Sequence, residues 1–294
     1  MLKTMTQARN FDFDDDKFKA APSEVLPWCQ MINPQWGPDG LKPYGLAITL
    51  EKANMVGFIP DDNWQQEEYT FGSGEVTTLF ITTTPRLLVV RRGPVCIKDR
   101  ATGITLGRLL DHYDTFMTEK LKFKTFTRYL IFLVGQNQKL LHQSPLRLTL
   151  SGVAGASFGE AFRSSRAGLV ASGFTVELEK AYAAYRRQPV TPKSPLFHAH
   201  GIFCPVIESV ERGIGPNKAL VAATEDYGHP TVENLTEYLI ASNSEESAII
   251  CQTFEEYKDF AKEAPKPETS RMDIQQVTNS YDFDDEYNLD EAPY

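Results

Sequence analysis

No run of apolar residues in this chain approaches the roughly 20 that a helix needs to cross a bilayer, although 41 % of its 294 residues are hydrophobic. Cysteine is scarce. Cys29, Cys96, Cys204 and Cys251 are scattered without CxxC spacing, which argues against a disulfide frame or a zinc site and for reduced thiols. Of the five histidines, His198 and His200 are expected on one face of a strand, with Cys204 on the same parity. No carboxylate or fourth ligand accompanies them, so a structural pair is expected rather than a metal site. The chain also lacks HExxH, GxSxG and P-loop patterns, and its glycine-rich stretch 152–159 fits no nucleotide loop. Asp111, His112 and Asp114 are close in sequence, but on the helix expected there adjacent positions do not face one another. Neither an enzyme nor a cofactor is expected. The acids Asp12, Asp14, Asp15 and Asp16 stand where a secretory signal would be apolar, which points to a cytoplasmic protein without a membrane segment.

What the chain does have is charge sorted by region. The net charge of −9 taken whole would disfavour a polyanionic partner. Residues 86–193, however, hold 18 basic and 7 acidic side chains, a net of +11. Residues 265–294 hold 2 and 8, a net of −6, and residues 194–264 hold 4 and 12, a net of −8. A basic body with acidic appendages has this layout.

Within the basic region, residues 120–134 contain no Gly or Pro and are rich in aromatic and β-branched side chains, which predicts one long strand. Side chains alternate between the faces of a strand. Lys120, Lys122, Lys124, Phe126 and Arg128 would therefore share one face, with Leu121, Phe123, Tyr129, Ile131 and Leu133 on the other. A cationic row with a ring in it suits single-stranded nucleic acid, whose phosphates take the charges and whose bases stack on aromatics. Lysines guarding an edge strand would give the same pattern. Arg91, Arg92 and Arg147, on or beside neighbouring strands, extend the set, and Tyr129 and Trp28 are further stacking candidates. Trp36 and Trp64 are expected in core or turn packing.

Other segments fill out a mostly β fold with α insertions. Strands are expected near residues 25–32, 44–50, 75–84, 86–92, 95–98, 145–150, 197–210 and 219–224. Helices are expected over 109–119, 157–171 (opened by Ser157 and Glu160 as a capping box), 176–187 and 231–263. An OB-like barrel core with helices would suit a strand-binding role. Residues 25–264 would be one domain, with a sub-boundary at the proline-rich joint 189–195. Residues 1–24 and 265–294 have the composition of disordered acidic arms. Each arm carries a copy of one pattern, Phe11-Asp12-Phe13-Asp14-Asp15-Asp16 and Tyr281-Asp282-Phe283-Asp284-Asp285-Glu286.

The chain ends Asp290-Glu291-Ala292-Pro293-Tyr294. An acidic tail finishing acid-acid-apolar-Pro-aromatic resembles the tip of bacterial single-stranded-DNA-binding proteins, and phage replication proteins of similar role end comparably. The resemblance covers about a tenth of the chain, and Leu289, Ala292 and Tyr294 depart from the usual tip. The rest looks loosely similar to an uncharacterised cyanobacterial and phage family, which supplies no function. The resemblance implies an OB-fold body that binds the strand and a tail that competes with DNA for it. It also implies a tip (Asp290, Glu291, Pro293, Tyr294) that docks on replication and repair proteins. A free carboxylate beside an aromatic ring suits a basic pocket. The expected partner is single-stranded DNA, with RNA also compatible, in replication or recombination near the nucleoid; a homo-oligomer is compatible with the same reading. The competing expectation is a structural or assembly protein of phage or plasmid origin whose acidic ends make protein contacts.

Overall fold

The computed structural model describes residues 26–261 except 38–39, 72–73, 165–170 and 214–217. The acidic arms and the terminal tip Asp290, Glu291, Pro293 and Tyr294 lie outside the described residues.

The expected long strand forms the middle of the molecule, as β10 (Phe123–Leu133). It begins three residues late. Lys120, Leu121 and Lys122 belong to the turn after a short helix, α2 (Tyr113–Thr118). There Lys122 N–H donates to the Glu119 carbonyl at 2.9 Å, and the Lys122 carbonyl accepts from Arg100 N–H at 2.8 Å, which spends its backbone groups on the turn. Preceding α2 are β1 (Trp28–Ile32), β2 (Trp36–Gly37), β3 (Gly40–Leu41), β4 (Gly45–Thr49), α1 (Leu50–Val56), β5 (Gln65–Thr70), β6 (Val76–Thr82), β7 (Leu87–Arg92), β8 (Cys96–Asp99) and β9 (Thr105–Arg108). Following β10 are β11 (Leu146–Ser151), α3 (Gly152–Phe162), α4 (Phe174–Arg186), α5 (Pro195–Ala199), β12 (Ile202–Phe203), β13 (Pro205–Arg212), β14 (Ala219–Tyr227), α6 (Leu235–Tyr238) and α7 (Glu245–Glu256).

The protein is thus mixed α and β around one large sheet. Its strands run β12-β7-β10-β11-β1-β4-β6-β5, with β8 pairing β10 and β9 added outside β8. This path is open at β12 and at β5, so the expected barrel is not closed among the described residues. The central joint is β1. Trp28 and Cys29 pair in parallel with β11, and Gln30, Met31 and Ile32 pair antiparallel with β4.

Both faces of the sheet are covered at the C-terminal half of β10, as expected for a continuous apolar run. Tyr129, Ile131 and Leu133 pack with Phe158 and Phe162 of α3, Phe174 of α4 and Phe203 of β12. Leu130 and Phe132 pack on the other side with Ala199 of α5 and Ile250 of α7. The proline-rich joint does not divide the fold, because the chain beyond it returns to the sheet, where Ile202 and Phe203 pair with Leu88 and Leu87.

Two helices differ from expectation for identifiable reasons. The glycine-rich stretch is helix α3 itself, entered directly from β11 at Gly152, whose φ of 56° lies in the left-handed region. Ser157, expected to cap the helix, is inside it, where its hydroxyl donates to the Val153 carbonyl at 2.9 Å and accepts from Thr224 N–H of β14 at 3.0 Å. Gly155 lets the helix lie close to β11, since a Cβ there would come within 3.1 Å of the Leu150 backbone. The predicted strand 197–210 instead starts as α5. Ser194 caps α5 through Phe197 N–H, with Pro195 in the first turn, a pairing that favours helix initiation.

Candidate nucleic-acid interface

The basic residues come together at the N-terminal half of β10. Lys124 pairs across the ladder with Lys98, and Phe126 with Cys96. Cys96 in turn pairs with Arg108 on β9. Directly paired residues share a face, as do alternate residues along a strand. Lys98, Lys124, Phe126, Arg128 and Arg108 therefore occupy one side, and Phe123 and Ile97 pack beneath it with Leu109 and Phe116.

Phe126 is the hub of this face, although not as a stacking platform. It is only 4 % exposed. The Lys98 ammonium lies 6.0 Å and the Arg128 guanidinium 5.3 Å from its ring centroid, within cation–π range. Lys98 has its pKa lowered, first by burial and then by the like charge of Arg128. No carboxylate among the described residues forms an ion pair with Lys98 or Arg128. Lys124 is 6 % exposed and is engaged within the chain. Arg108 is held by Asp111 at 2.8 Å, and Lys122 by Glu119 at 2.9 Å. Lys120 is half-buried in the same turn as Lys122.

The remaining expected residues are dispersed. Tyr129 is completely buried on the opposite face, edge-on to Phe158 at 4.9 Å, so no base can reach it. Phe126 and Tyr129 are therefore corrected from stacking residues to core. Arg91 is committed to α7: its Nε and Nη2 both donate to the Phe254 carbonyl, Nε at 3.0 Å, and its guanidinium lies 3.3 Å from the Phe254 ring centroid. Burial lowers the Arg91 pKa, and Glu255 and Asp259 oppose that shift. Arg92 pairs across from Tyr129 and is exposed on the face opposite the cluster. Arg147 and Trp28 are paired neighbours on β11 and β1, both half-buried. Arg147 lies opposite Leu130, away from the cationic end. Lys98 stands beside a turn in the sequence, where a loop can reach a ligand, whereas Arg108 and Cys96 have no signal of their own; only the cross-strand register assembles the three.

His198 is on α5 and His200 caps its C-terminal end, rather than both being on a strand, and a carboxylate does accompany them. His198 Nε2 is 2.7 Å from the buried carboxylate of Glu179, and His200 bonds Leu196 and Ser247. No group of three metal-ligating side chains occurs among the described residues, and no helix among them is long and apolar enough to cross a membrane.

The last described turn runs onto the cationic face. A Cβ on Gly93 would come within 2.6 Å of the Cβ of Ala261, and Gly93 N–H donates to the Arg128 carbonyl at 2.8 Å. The described chain therefore ends, at Ala261, beside the backbone of Arg128.

The family model described as Domain of unknown function (DUF5895) matches residues 23–273, and the chain belongs to that family. No curated protein and no solved structure matches the chain.

Proposed function

We propose that the protein binds single-stranded DNA without strong sequence preference, in replication or recombination, and that its acidic tail restrains binding and recruits partner proteins. The supporting observation is that Lys98 and Arg128 share one face around Phe126, next to the last described residue, Ala261, beyond which residues 265–294 carry a net charge of −6. Burial and the like charge of Arg128 both disfavour the charged form of Lys98, so this face gains from an anion. Lys98 and Arg128 would hold phosphates at its centre, with Lys120 and Lys122 at the rim. The open sheet serves this role without a closed OB barrel. A cytoplasmic, nucleoid-associated location belongs to the same proposal.

Fluorescence anisotropy with labelled oligo-dT, duplex DNA and RNA at two salt concentrations tests the proposal. Tight binding to oligo-dT that weakens steeply with salt is expected, because each neutralised phosphate releases counterions. Binding that is absent, or indifferent to salt, would refute it. Deleting residues 265–294 should strengthen oligo-dT binding by removing an intramolecular polyanion; unchanged or weaker binding would remove the tail from the proposal. One observation favours protein contacts instead. Leu110 and Leu121 are 76 % and 77 % exposed near the basic turn, and in an assembly role these would be covered while oligonucleotides bind weakly.

A further inference from the structure

A second cluster of ionisable side chains gathers where the end of β14 meets the first turn of α4. Its centre is His229, whose two ring nitrogens both face carboxylates. Nδ1 is 2.8 Å from Glu177 Oε2, and Nε2 is 3.2 Å from Asp226 Oδ1. The other Glu177 oxygen accepts from the Tyr227 hydroxyl at 2.9 Å, and the Tyr227 and His229 ring centroids are 4.4 Å apart. Asp226 is itself positioned by Tyr227 N–H, which donates to Oδ1 at 2.8 Å.

A neutral imidazole carries one N–H, so it can serve one of these carboxylates and must turn a lone pair on the other. Only the imidazolium donates to both. The hydrogen bond to Glu177 raises the His229 pKa from 6.5, partial burial opposes the rise, and Asp226 adds to it. The groups around the ring keep their own charge states. Burial and then Glu177 push the Tyr227 phenol up, and burial pushes up Tyr238 of α6. The Thr231 hydroxyl holds the Glu233 carboxyl down. Lys180 stands one turn along α4 from Glu177, and β13 faces the cluster with the uncharged Pro205 and Val206.

The segment that follows β14 is folded on itself. Asn234 Nδ2 donates to the His229 carbonyl at 3.1 Å, and Asn234 Oδ1 accepts from Thr231 N–H at 2.6 Å. Between this segment and α4 is a cleft of about 290 Å³, lined by Glu177, Lys180, Pro230, Thr231, Val232 and Glu233. The His229–Glu177 bond joins its two walls.

We propose that His229 is a proton-operated clasp on this cleft. Charged, it ties residues 228–233 to α4; neutral, it releases one carboxylate and the segment swings away from the helix. A pKa raised by folding adds stability that is complete below pH 6.5 and is lost as the pH rises through the folded value. Tyr227 packs in the core layer that contains Tyr129, on the sheet face away from the cationic cluster, so the clasp does not rest on the polynucleotide proposal.

The test uses the full chain and its His229→Gln, Glu177→Gln and Asp226→Asn variants. Proton NMR of the histidine rings should show one resonance, absent from His229→Gln, that titrates above pH 6.5. Its midpoint should move down in Glu177→Gln and, by less, in Asp226→Asn. Hydrogen exchange of residues 228–233, corrected for the intrinsic pH dependence of exchange, should be several-fold slower at about pH 6 than at about pH 8.5. His229→Gln should exchange at the faster rate at both. A His229 resonance that titrates at or below 6.5, or protection that is equal at the two pH values, overturns the clasp. Protection that still depends on pH in His229→Gln belongs to another group and overturns it as well. Should Glu177→Gln lose its cooperative melt, because Glu177 also holds Tyr227, Asp226→Asn carries the titration test.

Discussion

The two halves of β10 make an instructive contrast. From Tyr129 to Leu133 every side chain is fully buried, with helices over both faces. From Phe123 to Arg128 one face is apolar and the other gathers Lys98, Lys124, Arg128 and Arg108 around a single buried ring. One strand therefore serves both as the centre of the core and as the floor of a charged surface. Stability should depend on the first half and ligand binding on the second.

Truncation separates the halves most strongly. Phe132 is completely buried and stacked on His142 at a centroid distance of 5.3 Å, so Phe132→Ala should cost about 3–5 kcal/mol in urea unfolding. Phe126→Ala should cost less, because its ring packs partly against flexible cationic side chains. Equal losses would show that the cationic end is as much core as the other.

The next largest effect is on pH dependence. His142 accepts a hydrogen bond from Leu133 N–H through Nε2 at 2.8 Å and donates from Nδ1 to the Ser144 carbonyl at 2.7 Å, an arrangement that requires the neutral ring. Burial pushes its pKa down from 6.5 to about 4, against a smaller opposing effect of the Ser144 hydrogen bond. Below pH 6.5 the unfolded chain takes up a proton that the folded chain refuses. Stability is therefore complete above about pH 6.5 and falls as the pH drops toward 4, by about 3 kcal/mol in all. Urea midpoints across that range should show the slope, and His142→Gln should flatten it. A wild-type midpoint that does not change from pH 7 to 4.5 would contradict the assignment.

The smallest effect distinguishes the cationic end by its sign. Lys98→Met keeps the stem and removes a charge that burial and Arg128 disfavour, so stability should rise by up to about 1 kcal/mol. The same change should weaken oligo-dT binding and reduce its salt dependence by about one phosphate contact. A variant that loses stability while binding oligo-dT normally would make Lys98 a structural residue.

Much of this architecture is legible in the sequence. The strands at 44–50, 86–92 and 145–150 form β4, β7 and β11, and the helix at 176–187 forms α4, because patterning and turn residues act locally. The faces of β10 were harder to read. Alternation places Phe126 among cations correctly, but it cannot show that β8 would bring Lys98 alongside and bury the ring. Arg91 reads in the sequence like any strand-end cation, and only the fold reveals that α7 claims it through Phe254. The stretch 152–159 misleads for a related reason: its glycines suggest a loop, whereas the absent side chain at Gly155 lets a helix lie close to β11.

The split pairing of β1 has a consequence for the order in which the chain can fold. Its five residues are among the first of the body to be synthesised, yet Arg147, whose carbonyl on β11 accepts from the Cys29 thiol, lies 118 residues downstream. The β4-β6-β5 wing can zip up early from neighbouring segments, but the seam joining it to the rest stays open until Arg147 and Leu148 arrive. Assembly dominated by so distant a closure is expected to be slow, and a nascent chain would meanwhile present one unpaired edge of β1 to its surroundings.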